Sequence, residues 1–250
     1  MKILALIPSR YGSSRFEGKP LADILGLPMV VRVFNQTMKV FDCVYVATDD
    51  KRIEDVAKKY NCNVVMTSSQ HKSGTDRCRE ALDKIEKETQ KKFDIVINIQ
   101  GDEPFIHTEQ LQLLAESFSD KNVDIATLVK PFDKDEDINN NNSPKVVLSK
   151  KMYALYFSRS VVPFLRGVEK NQWQDKHTFY KHIGLYAYRS DVLREITSLE
   201  QGELEKCESL EQLRWLENGY SIKCSVTNHK TYAIDTPEDL KKVIETMKNV

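Results

Sequence analysis

Apolar residues in the first 130 positions fall in short, nearly continuous runs: Ile3–Ile7, Cys43–Ala47, Asn63–Met66, Asp94–Ile99 and Asp124–Val129. The runs are rich in Val and Ile, the pattern of strands buried on both faces. Charged, helix-favouring segments separate them, at Met29–Lys39, Lys51–Tyr60, Asp76–Glu88 and Thr108–Phe118. Such alternation predicts parallel βαβ units, with a sheet covered by helices.

The rhythm changes after residue 130. Asp133–Ser143 is polar, holds four consecutive asparagines and reads as an exposed loop. Lys145–Leu148 and Ala154–Phe157 read as strands with no helix between them, and Ile183–Tyr188 as a third. Helices are expected at Asp191–Ser198, Ser209–Asn218 and Pro237–Met247, with a strand at Ser221–Thr227. Thr236, Pro237 and Asp239 together form a helix-start signature. The expected fold class is therefore α/β: a core with a mostly parallel sheet from 1–130 and 200–250, carrying a mixed β insertion over 131–199.

Composition narrows the function. Lys plus Arg and Asp plus Glu each number 37, a net charge of zero. That balance argues against a nucleic-acid binder, which usually carries a basic excess. No run approaches the ~18 apolar residues of a membrane span. The short Ile3–Ile7 run followed by Pro8-Ser9-Arg10 is a buried first strand rather than a signal segment. The five cysteines are widely spaced and form no C-x-x-C pair, so they are expected to be reduced thiols in the cytoplasm.

Candidate chemistry gathers at the carboxyl ends of the expected strands, where doubly wound sheets bind ligands. Pro8–Pro20 follows the first strand with three cations, Arg10, Arg15 and Lys19, among serines and glycines. Cations and free backbone N–H groups there suit a triphosphate. The segment is neither a Walker A loop nor G-x-G-x-x-G. Asn98–Pro104 follows the most apolar strand, and Asp102 within it is either a turn former or an oxygen ligand for a hard cation. Asp235 precedes a helix and reads as a cap or, beside Asp102, as a second ligand. Ser73, Gly74 and Arg77 belong to a polar turn opening a helix, suited to capping or to hydrogen bonds with a base or ribose. Ala47–Asp50 reads as helix capping. Arg159, His182, Tyr186, Glu211 and Gln212 are further polar candidates in the second half, where His182 is equally a satisfied core histidine. No G-x-S-x-G motif is present, which weakens an acyl hydrolase reading.

Taken together, Pro8–Pro20, Ala47–Asp50, His71–Arg77, Asn98–Pro104, Lys145–Pro163, His182–Arg189, Leu210–Arg214 and Asp235–Leu240 resemble the 3-deoxy-manno-octulosonate (Kdo) cytidylyltransferases, or CMP-Kdo synthetases, in order and spacing. The resemblance runs over nearly the whole chain. It departs at Glu17, where the family often has proline, and in Asp133–Ser143 and Val168–Thr178. It implies a Rossmann-like nucleotide-binding core of the nucleotide-diphospho-sugar transferase type, and an insertion that serves sugar binding and dimerisation. It also implies conversion of CTP and Kdo to CMP-Kdo and pyrophosphate for lipopolysaccharide synthesis, Mg²⁺ as cofactor, a cytoplasmic location and a homodimer. On that basis Arg10, Arg15 and Lys19 would hold the triphosphate, and Asp102 and Asp235 the metal. Ser73, Gly74, Arg77 and Gln100 would help place the cytidine. Arg159, His182, Tyr186, Glu211 and Gln212 would line the sugar-acid pocket. Rival readings are a cytidylyltransferase for another acid sugar such as 8-amino-Kdo, and a non-catalytic nucleotide-binding regulator.

Overall fold

A computed structural model describes residues 1–12 and 15–248; Ser13 and Ser14, part of the first expected loop, lie outside the described residues. The amino-terminal elements are β1 (Ile3–Ser9), β2 (Asp23–Ile24), β3 (Leu27–Pro28), α1 (Met29–Thr37), β4 (Val44–Thr48), α2 (Lys51–Lys59), β5 (Val64–Met66), α3 (Gly74–Thr89), β6 (Ile95–Asn98) and α4 (Thr108–Glu116). There follow β7 (Ile125–Pro131), β8 (Lys145–Leu148), β9 (Ala154–Ser158), α5 (Trp173–Lys176), β10 (Tyr180–Arg189), α6 (Ser190–Ile196), α7 (Glu203–Glu208), α8 (Gln212–Glu217), β11 (Ile222–Val226) and α9 (Pro237–Lys248). The five amino-terminal strands and four helices expected from apolar runs are all present, with ends shifted by a residue or two. The β2–β3 hairpin, α5 and α7 had no apolar period to reveal them.

The chain forms two compact units. The first comprises Met1–Gln112, Ala187–Thr197 and Lys230–Val250, and the second Leu113–Tyr186 and Ser198–His229. These boundaries differ from the expected 130/131 and 199/200. Strand β11 pairs in parallel with β7 from Ile222 opposite Ile125 to Val226 opposite Val129, so these two strands share the second unit with the insertion.

Within the first unit the strands run in the order β6-β1-β4-β5, all parallel. The parallel arrangement buries Leu4 to Ile7, Val44, Val46 and Ile95 to Ile97 completely or nearly so. A satellite cluster of Ile24, Met29, Ile234 and Val243 ties the β2–β3 hairpin and α1 to α9. Each such fully buried aliphatic side chain stabilises the fold by roughly 1.5–3 kcal/mol. The cluster fixes Ile234, and with it the neighbouring Asp235.

In the second unit, β8 pairs antiparallel with both β9 and β10, the mixed sheet the insertion was expected to form. Ile138, Trp173 and Phe179 make a small core beneath the polar 133–143 segment. Helix α7 lacks an apolar stripe but is anchored by Glu205, whose carboxylate takes two hydrogen bonds from Arg214 of α8 at 2.8 and 2.9 Å.

Candidate active site

In the first unit, Pro8, Arg10, Gly12, Arg15, Lys19, Gln100, Gly101, Asp102 and Asp235 line one open cavity of about 500 Å³. Three chain segments build it. Strand β1 delivers the first loop. Gly101 lets the turn after β6 press against that loop's root, because a Cβ there would lie 2.9 Å from the Pro8 carbonyl oxygen. The close approach that glycine permits is thus to the adjacent strand end. The third segment arrives through a backbone bond, Ile234 N–H to the Asp102 carbonyl at 3.0 Å, which sets Asp235 beside Asp102.

Asp235 is free for chemistry because other residues cap the helix. Thr236 and Asp239 form a reciprocal box: Thr236 N–H donates to the Asp239 carboxylate at 3.0 Å, and Asp239 N–H donates to the Thr236 hydroxyl at 3.2 Å. The Asp235 carboxylate instead accepts two bonds from Arg15, at 3.1 and 3.2 Å. Lys19 Nζ lies between the two acids, 2.8 Å from Asp102 and 3.4 Å from Asp235. Two carboxylates converging on one positive charge are the oxygen donor set that a hard divalent cation prefers. Arg10 is exposed at the cavity wall.

Glu103, next to Asp102, turns into the core. Burial first, and the charge of Asp102 second, push its carboxyl up to about 8. It is therefore mostly neutral at pH 7.

The helix-start candidates are placed differently from one another. Ser73 caps α3, accepting from Asp76 N–H at 3.1 Å. Gly74 rests against the Pro8 ring, its notional Cβ 3.5 Å away. Arg77 is only 1% exposed; its guanidinium donates to Asp49 at 2.8 Å and to the Thr67 hydroxyl. It therefore points inward and holds the ends of β4 and β5, and any effect on a ligand passes through those residues. Asp50 caps α2, as Ala47–Asp50 was read to do.

The other five candidates lie in the second unit, where His182 and Tyr186 belong to an aromatic cluster. His182 stacks edgewise on Phe157 and tilts against Tyr186, with ring centroids 5.1 and 5.2 Å apart. Tyr186 meets Trp215 of α8 edge-on at 5.1 Å. The Thr127 hydroxyl donates to the Leu185 carbonyl at 2.7 Å and so accepts from His182 Nε2 at 3.1 Å. That assigns the imidazole proton to Nε2. Burial pushes this histidine down to about 3, so it is neutral at physiological pH.

Arg159 is held by three carbonyls, those of Glu208, Asn141 and Ser209, at 2.6, 2.9 and 3.2 Å. Its guanidinium has five N–H donors, so charge and some donors remain available. Glu211 joins the Arg214 pair at 3.4 Å. Gln212 is 4% exposed, and its Nε2 has no hydrogen-bond partner among the described residues. A buried donor without a protein partner is rare in native folds and is open to a bound water or a polar ligand. Glu208 and Thr127 escaped the sequence reading. Each acts by orienting a candidate, and neither lies in a motif that would single it out.

Known proteins resemble this chain over its full length. Residues 4–224 match the family model described as Cytidylyltransferase. The 3-deoxy-manno-octulosonate cytidylyltransferase of Parabacteroides distasonis is 56% identical over 253 aligned residues, covering 100% of this chain and 99% of that one. The protein of the same name from Bacteroides thetaiotaomicron is 56% identical over 252 residues, again covering 100% and 99%. Among solved structures, that of CMP:2-keto-3-deoxy-manno-octonic acid synthetase complexed with CTP superimposes with a TM-score of 0.90 at 38% identity, covering 100% of this chain and 99% of that one. With the strand-end charge cluster and these full-length matches together, the chain belongs to the 3-deoxy-manno-octulosonate cytidylyltransferase family.

Proposed function

We propose that this chain is a cytidylyltransferase that converts CTP and Kdo to CMP-Kdo and pyrophosphate, activating Kdo for lipopolysaccharide synthesis. The observation that carries the reading is the Arg15, Lys19, Asp102 and Asp235 cluster at the carboxyl ends of parallel strands, in a full-length member of that family. The anomeric hydroxyl of Kdo attacks the α-phosphorus of CTP in line. A new P–O bond forms, the bond from the α-phosphorus to the α,β-bridging oxygen breaks, and the hydroxyl proton passes to solvent. No covalent enzyme intermediate is required, so binding, alignment and charge neutralisation do the catalysis.

The residues divide that work. Arg10, Arg15 and Lys19 neutralise the triphosphate and the pyrophosphate that leaves. Triphosphate binding exchanges the Arg15–Asp235 and Lys19–Asp102 pairs for contacts to phosphate, which leaves two carboxylates facing the cavity. Asp102 and Asp235 would hold Mg²⁺ there, where it would neutralise charge on the α-phosphate and ease its attack. Gln100, Ser73 and Gly74 border the cytidine, with Arg77 setting the strand ends beneath. In the second unit, the Arg159 guanidinium meets the Kdo carboxylate. Gln212 and Glu211 bond sugar hydroxyls, and neutral His182 with Tyr186 supplies a shaped wall.

The same reading includes a homodimer and a cytoplasmic location. Leu155 and Phe164, 61% and 71% exposed in the β insertion, are apolar surface suited to a second copy. Among the described residues no disulfide joins the cysteines, and no helix is long and apolar enough to cross a membrane. Light scattering at micromolar concentration tests the dimer: a monomer mass contradicts it.

The reaction is tested by incubating purified protein with CTP, Kdo and Mg²⁺ and following CMP-Kdo and pyrophosphate together. Equimolar formation that needs both substrates and stops with EDTA is expected. Turnover only with another acid sugar would overturn the sugar assignment. CTP binding without pyrophosphate release from any sugar would overturn catalysis.

A further inference from the structure

The loop that carries Lys19 is clasped from outside the cavity. Gly18 N–H donates to the Tyr11 carbonyl at 2.9 Å, closing the loop immediately before Lys19. Gly18 is left-handed, with φ +70°, and the Tyr11 ring lies so close that a Cβ on Gly18 would be 3.1 Å from its Cζ and Oη. Helix α2 also reaches this ring. The Arg52 guanidinium lies over Tyr11, 3.2 Å from the ring centroid. Its plane is fixed by a two-pronged grip from Asp50, Nε to Oδ1 at 2.9 Å and Nη2 to Oδ2 at 2.7 Å. Asp50 is itself held in place as the cap of α2, accepting from Arg52 N–H at 2.9 Å. Glu17, the anion the chain carries beside its phosphate loop, also acts on the Arg52 charge.

Each link has a physical reason. Arginine is planar and stacks flat on an aromatic face while pairing a carboxylate with both prongs; a lysine ammonium can sit over a ring but cannot make both contacts at once. The stack pins Tyr11, Tyr11 packs on Gly18, and Gly18 sets the direction in which Lys19 leaves the loop towards Asp102 and Asp235. Arg52 itself lies outside the cavity lining. We propose that Arg52 is a positioning residue for CTP: gripped by Asp50, it locks Tyr11 against Gly18 and so presents Lys19 and the phosphate loop to the triphosphate. The inference rests on the reading of this cavity as the CTP site.

The test is initial-rate kinetics on Arg52→Ala, Arg52→Lys, Tyr11→Phe and Tyr11→Leu, with CTP and Kdo varied separately. An exposed cation–aromatic stack is worth about a two- to fivefold change in an equilibrium constant. Arg52→Ala and Tyr11→Leu should each raise KM for CTP by about that factor, and leave KM for Kdo and the melting temperature unchanged. The double variant should be no worse than either single one, because the two residues act as one unit. Tyr11→Phe keeps the ring and should match wild type, whereas Arg52→Lys should not rescue. Full rescue by lysine would mean that only the offset of Glu17 matters, and would overturn the positioning role. So would an unchanged KM for CTP in Arg52→Ala, or equal rises in both KM values with a fall in melting temperature. Isothermal titration with CTP and Mg²⁺ alone separates this proposal from the reaction. If wild type binds CTP but makes no CMP-Kdo, the reaction fails, and a two- to fivefold weaker titration of Arg52→Ala still upholds the clasp while an equal one overturns it.

Discussion

The two units handle charge in opposite ways. In the first, four of the charged side chains lining the cavity pair with one another: Arg15 with Asp235 and Lys19 with Asp102, whose carboxylate side chains are 41% and 25% exposed. In the second, the charged candidates are already oriented by other protein groups. Arg159 is bonded to backbone carbonyls, Glu211 faces Arg214, and the histidine is neutral. The Arg15–Asp235 pair is exposed and so exchanges readily for another anion or cation, whereas the Lys19–Asp102 pair is partly buried. A side chain locked by several carbonyls and ring contacts does not rearrange cheaply. The difference suits the two substrates. A tetra-anion that arrives with a metal needs a site whose charges can be re-partnered. A sugar acid read by its hydroxyls needs donors already in place.

The largest expected effect comes from removing a charge that the first unit cannot replace. Asp102→Asn should lower kcat by roughly 10²-fold or more, since a metal at such a site supplies several kcal/mol. Wild-type turnover at saturating Mg²⁺ would show that Asp102 is only a partner for Lys19. Next comes Gly101→Ala, which forces a Cβ against the Pro8 carbonyl and should cost about 1–3 kcal/mol by overpacking. An unchanged denaturation midpoint would mean that the two strand ends can part without consequence. In the second unit Gly202 is also tight, but it faces the flexible carboxylate end of Glu217 rather than a backbone atom.

How these sites could be read from sequence follows from their physics. Strands β1, β4, β5, β6 and β7 were visible as apolar runs because burial on both faces leaves no polar alternation to confuse them. Lys19 and Asp102 were visible because each follows such a run. Asp235 was ambiguous for a structural reason: a carboxylate before a helix is normally its cap, and only the Thr236–Asp239 box relieves it. Arg77 was placed beside the cytidine only by the family resemblance, on a polar turn that suited capping equally well. Nothing in the local pattern reports that Asp49, 28 positions earlier, receives it in the interior. Arg52 and Tyr11 were passed over for the same reason, since a contact made across long sequence separation leaves no local period. Helix α7 was hidden because an ion pair with Arg214 anchors it in place of an apolar face.

The second unit also makes a pH prediction. His182 sits at about 3 in the folded protein against 6.5 for an ordinary histidine. Between those values the unfolded chain binds a proton that the native state refuses, so stability falls as pH drops below about 6.5. The loss attributable to His182 should reach on the order of 1 kcal/mol by pH 5.5. Chemical denaturation of wild type and His182→Gln at pH 7.5 and 5.5 measures it. The variant should lose less on acidification than wild type, and identical losses would mean that the imidazole accepts a proton in the folded state.

The division of labour between the two units is tested most directly by one grid of initial rates of pyrophosphate release, with CTP and Kdo both varied, for wild type, Arg15→Ala and Arg159→Ala. Losing a charged hydrogen bond should raise KM by about tenfold or more for the substrate it touches. The account predicts that Arg15→Ala raises KM for CTP alone and Arg159→Ala raises KM for Kdo alone. If either variant raised both constants equally, or if the two effects were exchanged, the assignment of one unit to the nucleotide and the other to the sugar acid would be contradicted.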